Sequence, residues 1–354
     1  MIALAVWACA AAAQAQTLVI VGGGLSRDNA EVYTAFVGAL PSPESRVAIV
    51  PAASIEPAQS AASAREALMQ HGVAAERITV LALAATDDPA TTDFDESSWA
   101  GNGASAAIAS QLADVGGVWF VGGDQMRIMA VLEGGAVLAA MRDVLARGGV
   151  IGGTSAGAAI MSETMVARGD PVAALQLAPL SESAGGEALE SGALAVRPGA
   201  GFFPFGVVDQ HFDRSVRLGR LVRTLSLLPL SERIGFGIDE DTALVVDLAT
   251  GEMRVAGAGR VLAVDARRAV FSQTPFAARD VDVAVLSAGE SFGAPGASQS
   301  EDKLGTLAGG ISALLRQRLA DGDGAFTYAD GPIRYGFKPV RGSRREATLS
   351  ISVR

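Results

Sequence analysis

The chain has one cysteine and two histidines in 354 residues, and this scarcity narrows its chemistry before any motif is considered. Cys9 sits in an apolar, alanine-rich run, Met1 to Gln16, whose Ala13-Gln14-Ala15 has the small-x-small form that signal peptidase accepts. Read as a cleaved signal peptide of residues 1–15, rather than as a buried N-terminal helix, the run sends the mature chain to the periplasm or the exterior and leaves it without cysteine. Disulfides, thiol nucleophiles and thiolate metal sites are then excluded. The run is too short to cross a bilayer durably, so stable membrane insertion is not expected.

Cations are in deficit as well. Against 38 Asp and Glu stand 28 Lys and Arg, a net charge of -10, whereas neutralising phosphates requires clustered basic residues, so nucleic acid is not an expected partner. The acidity suits a cationic substrate and is equally ordinary solubility chemistry. No His/Cys/acid cluster has metal-ligand spacing. There is no G-x-x-x-x-G-K-[ST] motif, and the first glycine run, Gly22-Gly23-Gly24-Leu25-Ser26-Arg27, fails the dinucleotide fingerprint because Arg27 takes the place of the third glycine. Neither a cofactor nor a metal is expected.

Apolar residues are plentiful, at 49%, enough to bury the core of one large domain or two small ones. From Thr17 to about Ile238 short apolar runs alternate with Ala/Leu-rich amphipathic stretches, the pattern of a parallel sheet flanked by helices. Strands are predicted at Leu18 to Val21, Val47 to Pro51, Ile78 to Leu83, Val118 to Val121, Gly149 to Ile151 and Val207 to Gln210. Helices fit at Asn29 to Leu40, Pro57 to His71, Ser105 to Leu112, Met126 to Leu132, Val137 to Ala146 and Arg214 to Leu228. The fold class is therefore α/β, a doubly wound, mostly parallel sheet. Past Ile234 the runs become strand-like (Ala243 to Asp247, Met253 to Ala256, Val261 to Val264, Val281 to Val285), as in an antiparallel edge. Ser287 to Ser300 reads as a linker, Asp302 to Leu319 as an amphipathic helix and Ala347 to Val353 as a final strand, while Gly169 to Phe203 reads as a long loop. The expected division is an α/β domain of residues 16–266 and a β-rich extension of residues 267–354.

Glycine gathers at the corners of this pattern. Gly149 to Gly157 sets Ser155 inside a G-x-S-x-G pentad, Gly153 to Gly157. A strand that turns straight into a helix leaves no room beside the turn, so glycine is needed on both sides of the serine. Ser155 would then head a helix whose free N–H groups stabilise an oxyanion. Taken alone, the pentad fits a nucleophile and a Gly/Ala-rich turn equally well. A serine hydroxyl needs a base, and histidine is the usual one. His71 ends a helix, where the dipole explains it. His211, in Asp209-Gln210-His211-Phe212, follows the apolar Val207-Val208 at the carboxyl end of a strand, where open α/β sheets build their sites, and is the remaining candidate. For the acid that orients it, Asp239, Glu240 and Asp241 are adjacent rivals, and a solvated acidic turn is the plainer role for all of them. A second corner is Gly122-Gly123-Asp124-Gln125. There the Gly123 or Asp124 N–H would join that of Ala156 in an oxyanion hole, while Asp124 and Gln125 orient a polar substrate or cap the next helix.

In content and order, Gly122-Gly123-Asp124-Gln125, Gly153-Thr154-Ser155-Ala156-Gly157-Ala158, Asp209-Gln210-His211-Phe212 and Gly237-Ile238-Asp239-Glu240 resemble the motifs of the cyanophycinase and aspartyl dipeptidase family of serine peptidases, over about Leu18 to Val264. The resemblance implies a class I glutamine-amidotransferase-like fold, Ser155 as nucleophile, His211 as base and Glu240, in preference to its neighbours, as the orienting acid. The order Ser, His, Glu also differs from that of α/β-hydrolases. The Asp-Gln-His-Phe and Gly-Asp-Gln versions are more similar to cyanophycinases, which cut the backbone of multi-arginyl-polyaspartate and release β-aspartyl-arginine. An Asp- and Arg-rich peptide or polymer is thus the implied partner, with Gln125, Asp209 and Gln210 shaping its pocket. In such enzymes the helix after the histidine carries R-G-R-x-x-R; Arg217 and Arg220 match its second and third arginines and would bind substrate carboxylates. Ser215 and Val216 replace the first Arg-Gly, and Arg214 stands one residue early. A solvated helix face is the plainer role for these arginines. An isoaspartyl or aspartyl dipeptidase, and a non-catalytic binding protein on the same fold, are the alternative functions; a homodimer is compatible with each. The region beyond about Arg267 has no counterpart in the resemblance.

Overall fold

The structure, a computed structural model, describes residues 16–180, 192–214, 217–293, 319, 325–330, 333–340, 343 and 345–353. The leader, Ser215, Val216 and the expected helix Asp302 to Leu319, apart from Leu319 itself, lie outside the described residues.

The short apolar runs form strands β1 (Thr17–Val21), β2 (Arg46–Val50), β3 (Ile78–Val80), β4 (Val115–Phe120) and β5 (Val150–Thr154). They pair in the order β1-β5-β4-β2-β3, all parallel. Between them run α1 (Ala30–Gly38), α2 (Pro57–Gln70), α3 (Ala106–Ser110), α4 (Gln125–Leu132) and α5 (Ala136–Ala146). Their starts follow local chemistry: Asn29, Ser105 and Asp124 accept the N–H groups of Val32, Ile108 and Met126, and Pro57 opens α2. Phe36 of α1 meets Trp119 of β4 edge-on at 4.9 Å between centroids, one of the contacts that seal a helix to the sheet. This is the expected mostly parallel α/β arrangement.

Downstream, α6 (Ala156–Ala159), β6 (Thr164–Arg168), α7 (Ala173–Gln176), β7 (Ala195–Pro198), β8 (Val207–Asp209), α8 (Leu218–Leu225) and β9 (Ile234–Ile238) follow. The chain then continues through β10 (Thr242–Asp247), β11 (Glu252–Gly257), β12 (Arg260–Asp265), β13 (Val270–Gln273), β14 (Phe276–Ser287), β15 (Ser291–Gly293), β16 (Phe326–Asp330), β17 (Ile333–Pro339) and β18 (Glu346–Val353). Strands β10, β11 and β15 extend the first sheet antiparallel from β1. The stretch expected as a loop contains β7, which pairs with β6.

One expectation is corrected by the second sheet, ordered β16-β17-β18-β14-β12-β9-β8, with β13 paired to β14. The strand at Val207 does not join the large parallel sheet. It pairs in parallel with β9 in this second sheet, a placement its sequence does not distinguish, because a short strand buried on both faces reads the same in either sheet. Residues 267–354 supply the expected C-terminal strands, and these, apart from β15, join the second sheet. β14, from beyond the expected boundary, pairs with β12 from before it over Arg260 to Asp265. The C-terminal strands also cover α8, every residue of which is buried. Leu218, Leu221 and Leu225 share one apolar cluster with Phe276, Val281, Tyr335 and Leu349. Arg223 lies over the Phe276 ring at 4.6 Å, and burial pulls its guanidinium below the usual arginine range. The solvated helix face given as the alternative to carboxylate binding for Arg217 and Arg220 is thus interior.

Candidate active site

Glycine at both ends of the pentad is explained by crowding. A Cβ on Gly153 would lie 2.6 Å from the Gly157 carbonyl oxygen, and one on Gly157 would lie 2.6 Å from the Phe120 Cβ. The turn between β5 and α6 leaves Ser155 at φ 55, ψ -111, a left-handed conformation strained for a residue with a side chain. Its N–H donates to the Val21 carbonyl at 3.0 Å, which ties the elbow to the end of β1.

His211 arrives from the other sheet. It follows β8 at φ 50 and donates its N–H to the Gly22 carbonyl at 2.6 Å, beside the end of β1. Its Nε2 lies 2.7 Å from Ser155 Oγ, and its Nδ1 meets Glu240 Oε1 at the end of β9. The other Glu240 oxygen accepts from Arg214 Nε at 2.8 Å, and Asp213 Oδ1 accepts the Glu240 N–H at 2.9 Å. The nucleophile position thus comes from one sheet and the imidazole and carboxylate from another, and the glycine loop after β1 is the seam. A hydroxyl, imidazole and carboxylate in line can move a proton off the hydroxyl and hold the resulting imidazolium.

The neighbours of Glu240 have other work. Asp239 Oδ2 accepts the Arg260 N–H at 3.0 Å. Asp241 Oδ1 accepts from Ser26 N–H at 2.8 Å and from Asn29 Nδ2 at 2.9 Å, pinning the loop that begins with Gly22-Gly23-Gly24. That loop, which fails as a dinucleotide fingerprint, is packed against the site instead. His71 is structural: it caps α2, stacks on Tyr33 at 4.4 Å and bonds the Arg27 carbonyl at 2.8 Å through Nε2.

Beside Ser155 a small cavity of about 200 Å³ is lined by Gly123, Gln125, Arg168, Gln210, Arg217 and Arg220, among others. Here several expected roles change. Asp124 does not offer its N–H to an oxyanion, because that N–H donates to the Ala53 carbonyl at 2.9 Å and its carboxylate caps α4. Ala156 heads α6, so its N–H has no acceptor within the helix, and Gly123 borders the cavity. Asp209 is fully buried and does not reach a substrate: both of its oxygens accept from Arg220. Arg220, which also donates to the Gly169 carbonyl at 2.8 Å, meets the cavity as a neutralised pair and not as a free carboxylate clamp. Gln125 Nε2 is used on the Val166 and Ala167 carbonyls, holding β6 in place. Arg217 donates to the Gln210 carbonyl at 2.7 Å, while Gln210 Oε1 is buried without a partner. Arg168 was not anticipated; it reaches the cavity from the end of β6, where no motif marks it.

The buried Asp209–Arg220 pair carries a stability prediction. Asp209→Asn leaves a buried guanidinium without its counter-charge, so a loss of about 3–5 kcal/mol is expected. Denaturant unfolding of the variant checks it, a substrate-contact role alone predicting no such loss.

The profile of peptidase family S51 matches residues 100–253, a span that holds Ser155, His211 and Glu240. Cyanophycinase from Trichormus variabilis is 29% identical over 285 residues, covering 78% of this chain and 84% of that protein. Cyanophycinase from Synechococcus elongatus is 35% identical over 176 residues, 49% of each chain. The crystal structure of a peptidase from an acI-B1 Actinobacterium superposes with a TM-score of 0.52 at 20% identity, over 79% of this chain and 98% of that one, a likeness of fold. Profile and relatives concur in what the chain is similar to: peptidase family S51 over residues 100–253, and cyanophycinases over as much as 78% of its length, a likeness that makes it a peptidase.

Proposed function

We propose that the chain hydrolyses aspartyl peptide bonds of multi-arginyl-polyaspartate by an acyl-enzyme mechanism and releases β-aspartyl-arginine. The observation that carries this reading is the Ser155 Oγ to His211 Nε2 contact of 2.7 Å, continued to Glu240. His211 takes the Ser155 proton as Oγ attacks the scissile carbonyl, and Glu240 holds the imidazolium. The Ala156 and Gly123 N–H groups bind the oxyanion. The C–N bond then breaks, the departing amine takes the proton from His211, and water, deprotonated by the same imidazole, releases the acid and restores Ser155. Arg168 and Arg217, the latter also 3.9 Å from Asp209, line the side of the cavity where a substrate carboxylate would lie, and the unpartnered Gln210 Oε1 accepts a substrate N–H.

Incubation of the purified protein with insoluble cyanophycin, followed by mass spectrometry of the soluble fraction, is the test. β-Aspartyl-arginine is the expected product. An aspartyl or isoaspartyl dipeptidase is the second reading, supported by the small volume of the arginine-lined cavity, about 200 Å³; cleavage of dipeptides with the polymer left intact would establish it.

A further inference from the structure

Ser155 borders a second cavity besides the arginine-lined one. This wider groove, of about 540 Å³, lies between α2 and the loop after β1. A chain held with its scissile carbonyl at Ser155 therefore continues from the arginine-lined cavity into the groove. Thr154 Oγ1, next to the nucleophile on the groove side, is buried without a hydrogen-bond partner, as expected of a group that meets a ligand.

The groove has a partly apolar lining and one carboxylate left for a ligand. Leu25 and the edges of the buried Tyr33, Trp119 and Val121 supply the apolar part of the lining, and Gln59, Ser60 and Ser63 the uncharged polar part. Burial, the largest influence on it, pushes the Tyr33 phenol up to about 12, so Tyr33 is uncharged at neutral pH. The charged lining groups are Arg27 and Glu56. Arg27 is neutralised by Glu66 at 2.9 Å. Glu56 precedes α2 and has no ion pair among the described residues. It does not cap its own helix, because Asp88 accepts the Ala58 and Gln59 N–H groups there. A partly apolar track with a carboxylate beside it fits a long basic side chain, whose methylene stem lies on the apolar part while its charged head meets the acid.

We infer that this groove is the subsite for a cationic side chain of the substrate and that Glu56 is its specificity-determining residue. Ser155 then stands between an arginine-lined cavity and an acidic groove, and the substrate it fits carries a carboxylate on one side of the reacting bond and a guanidinium or ammonium group on the other.

The inference rests on the peptidase reading of Ser155, and a binding experiment separates the two. Calorimetry on Ser155→Ala protein compares aspartyl peptides carrying arginine with matched peptides carrying citrulline, its uncharged isostere. The arginine peptide is expected to bind about tenfold more tightly, the scale of one hydrogen bond to a charged group. Adding Glu56→Gln brings it to the citrulline level without moving the citrulline affinity, and Glu56→Asp retains part of the preference. Equal binding of both peptides to the Ser155→Ala protein, or an arginine preference that survives Glu56→Gln, overturns the assignment. Absence of hydrolysis by the wild-type chain, with the Glu56-dependent preference intact, removes the peptidase reading and leaves the cation subsite standing.

Discussion

Ser155→Ala is expected to lower kcat by at least about three orders of magnitude while the protein stays folded. Among the described residues the hydroxyl has one partner, His211 Nε2 at 2.7 Å, so its removal costs about 1 kcal/mol of stability at most. The chemistry has no substitute: the Thr154 hydroxyl is buried with no hydrogen-bond partner to serve as a base, and no cysteine lies beyond Cys9. A companion variant sharpens the test. At φ 55, ψ -111 the backbone of Ser155 is strained for any side-chain-bearing residue, so Ser155→Gly should be equally inactive yet more stable by about 1 kcal/mol. Inactivity with a raised melting temperature is the signature of strain kept for function. Full peptidase activity in Ser155→Ala would end the nucleophile assignment.

The parts of this site differ in how openly the sequence displays them, for physical reasons. Ser155 was legible because a strand-to-helix elbow cannot be built without glycine at fixed offsets, and Gly153 and Gly157 leave that mark. His211 was legible through scarcity and its place after an apolar strand. Glu240 was not separable from Asp239 and Asp241 by its own surroundings. Apart from the family resemblance, it is the three-dimensional partners that divide them, Arg260 taking Asp239, and Ser26 with Asn29 taking Asp241. The Asp209–Arg220 pair was misread for a related cause: burial of a charge depends on what covers it, and the cover over α8 comes from β14, β17 and β18, far along the chain. Once those strands roof the helix, an arginine there needs an internal carboxylate, and Asp209 is spent on it. The same roof explains why β8, and with it His211, sits in a sheet the local pattern did not announce.

Gly23→Ala is expected to cut kcat at least about a hundredfold, although Gly23 touches no substrate and belongs to no catalytic motif. A Cβ at this position would lie 2.2 Å from His211 Cε1 and 2.5 Å from Nε2, inside the van der Waals envelope of the imidazole. The backbone cannot yield easily, since the Gly22 carbonyl accepts the His211 N–H at 2.6 Å and the Gly23 carbonyl accepts the Asp241 N–H at 2.8 Å. The ring must move, and with Glu240 on its Nδ1 side the movement takes Nε2 away from Ser155 Oγ. The stability cost should stay near 1–2 kcal/mol, that of a methyl group at φ +103, so the variant remains folded and its melting temperature separates loss of geometry from loss of fold. Gly24→Ala, whose Cβ would stand 2.8 Å from Glu240 Cδ, should act on the acid instead and lose less, because the carboxylate keeps Arg214 as a second anchor. Labelling of the serine by a phosphonate reads the displacement without any substrate: slow labelling in Gly23→Ala, near-normal labelling in Gly24→Ala. A wild-type labelling rate in folded Gly23→Ala would mean that the imidazole does not stand over the glycine loop when Ser155 reacts, and the seam between the two sheets would lose its part in catalysis.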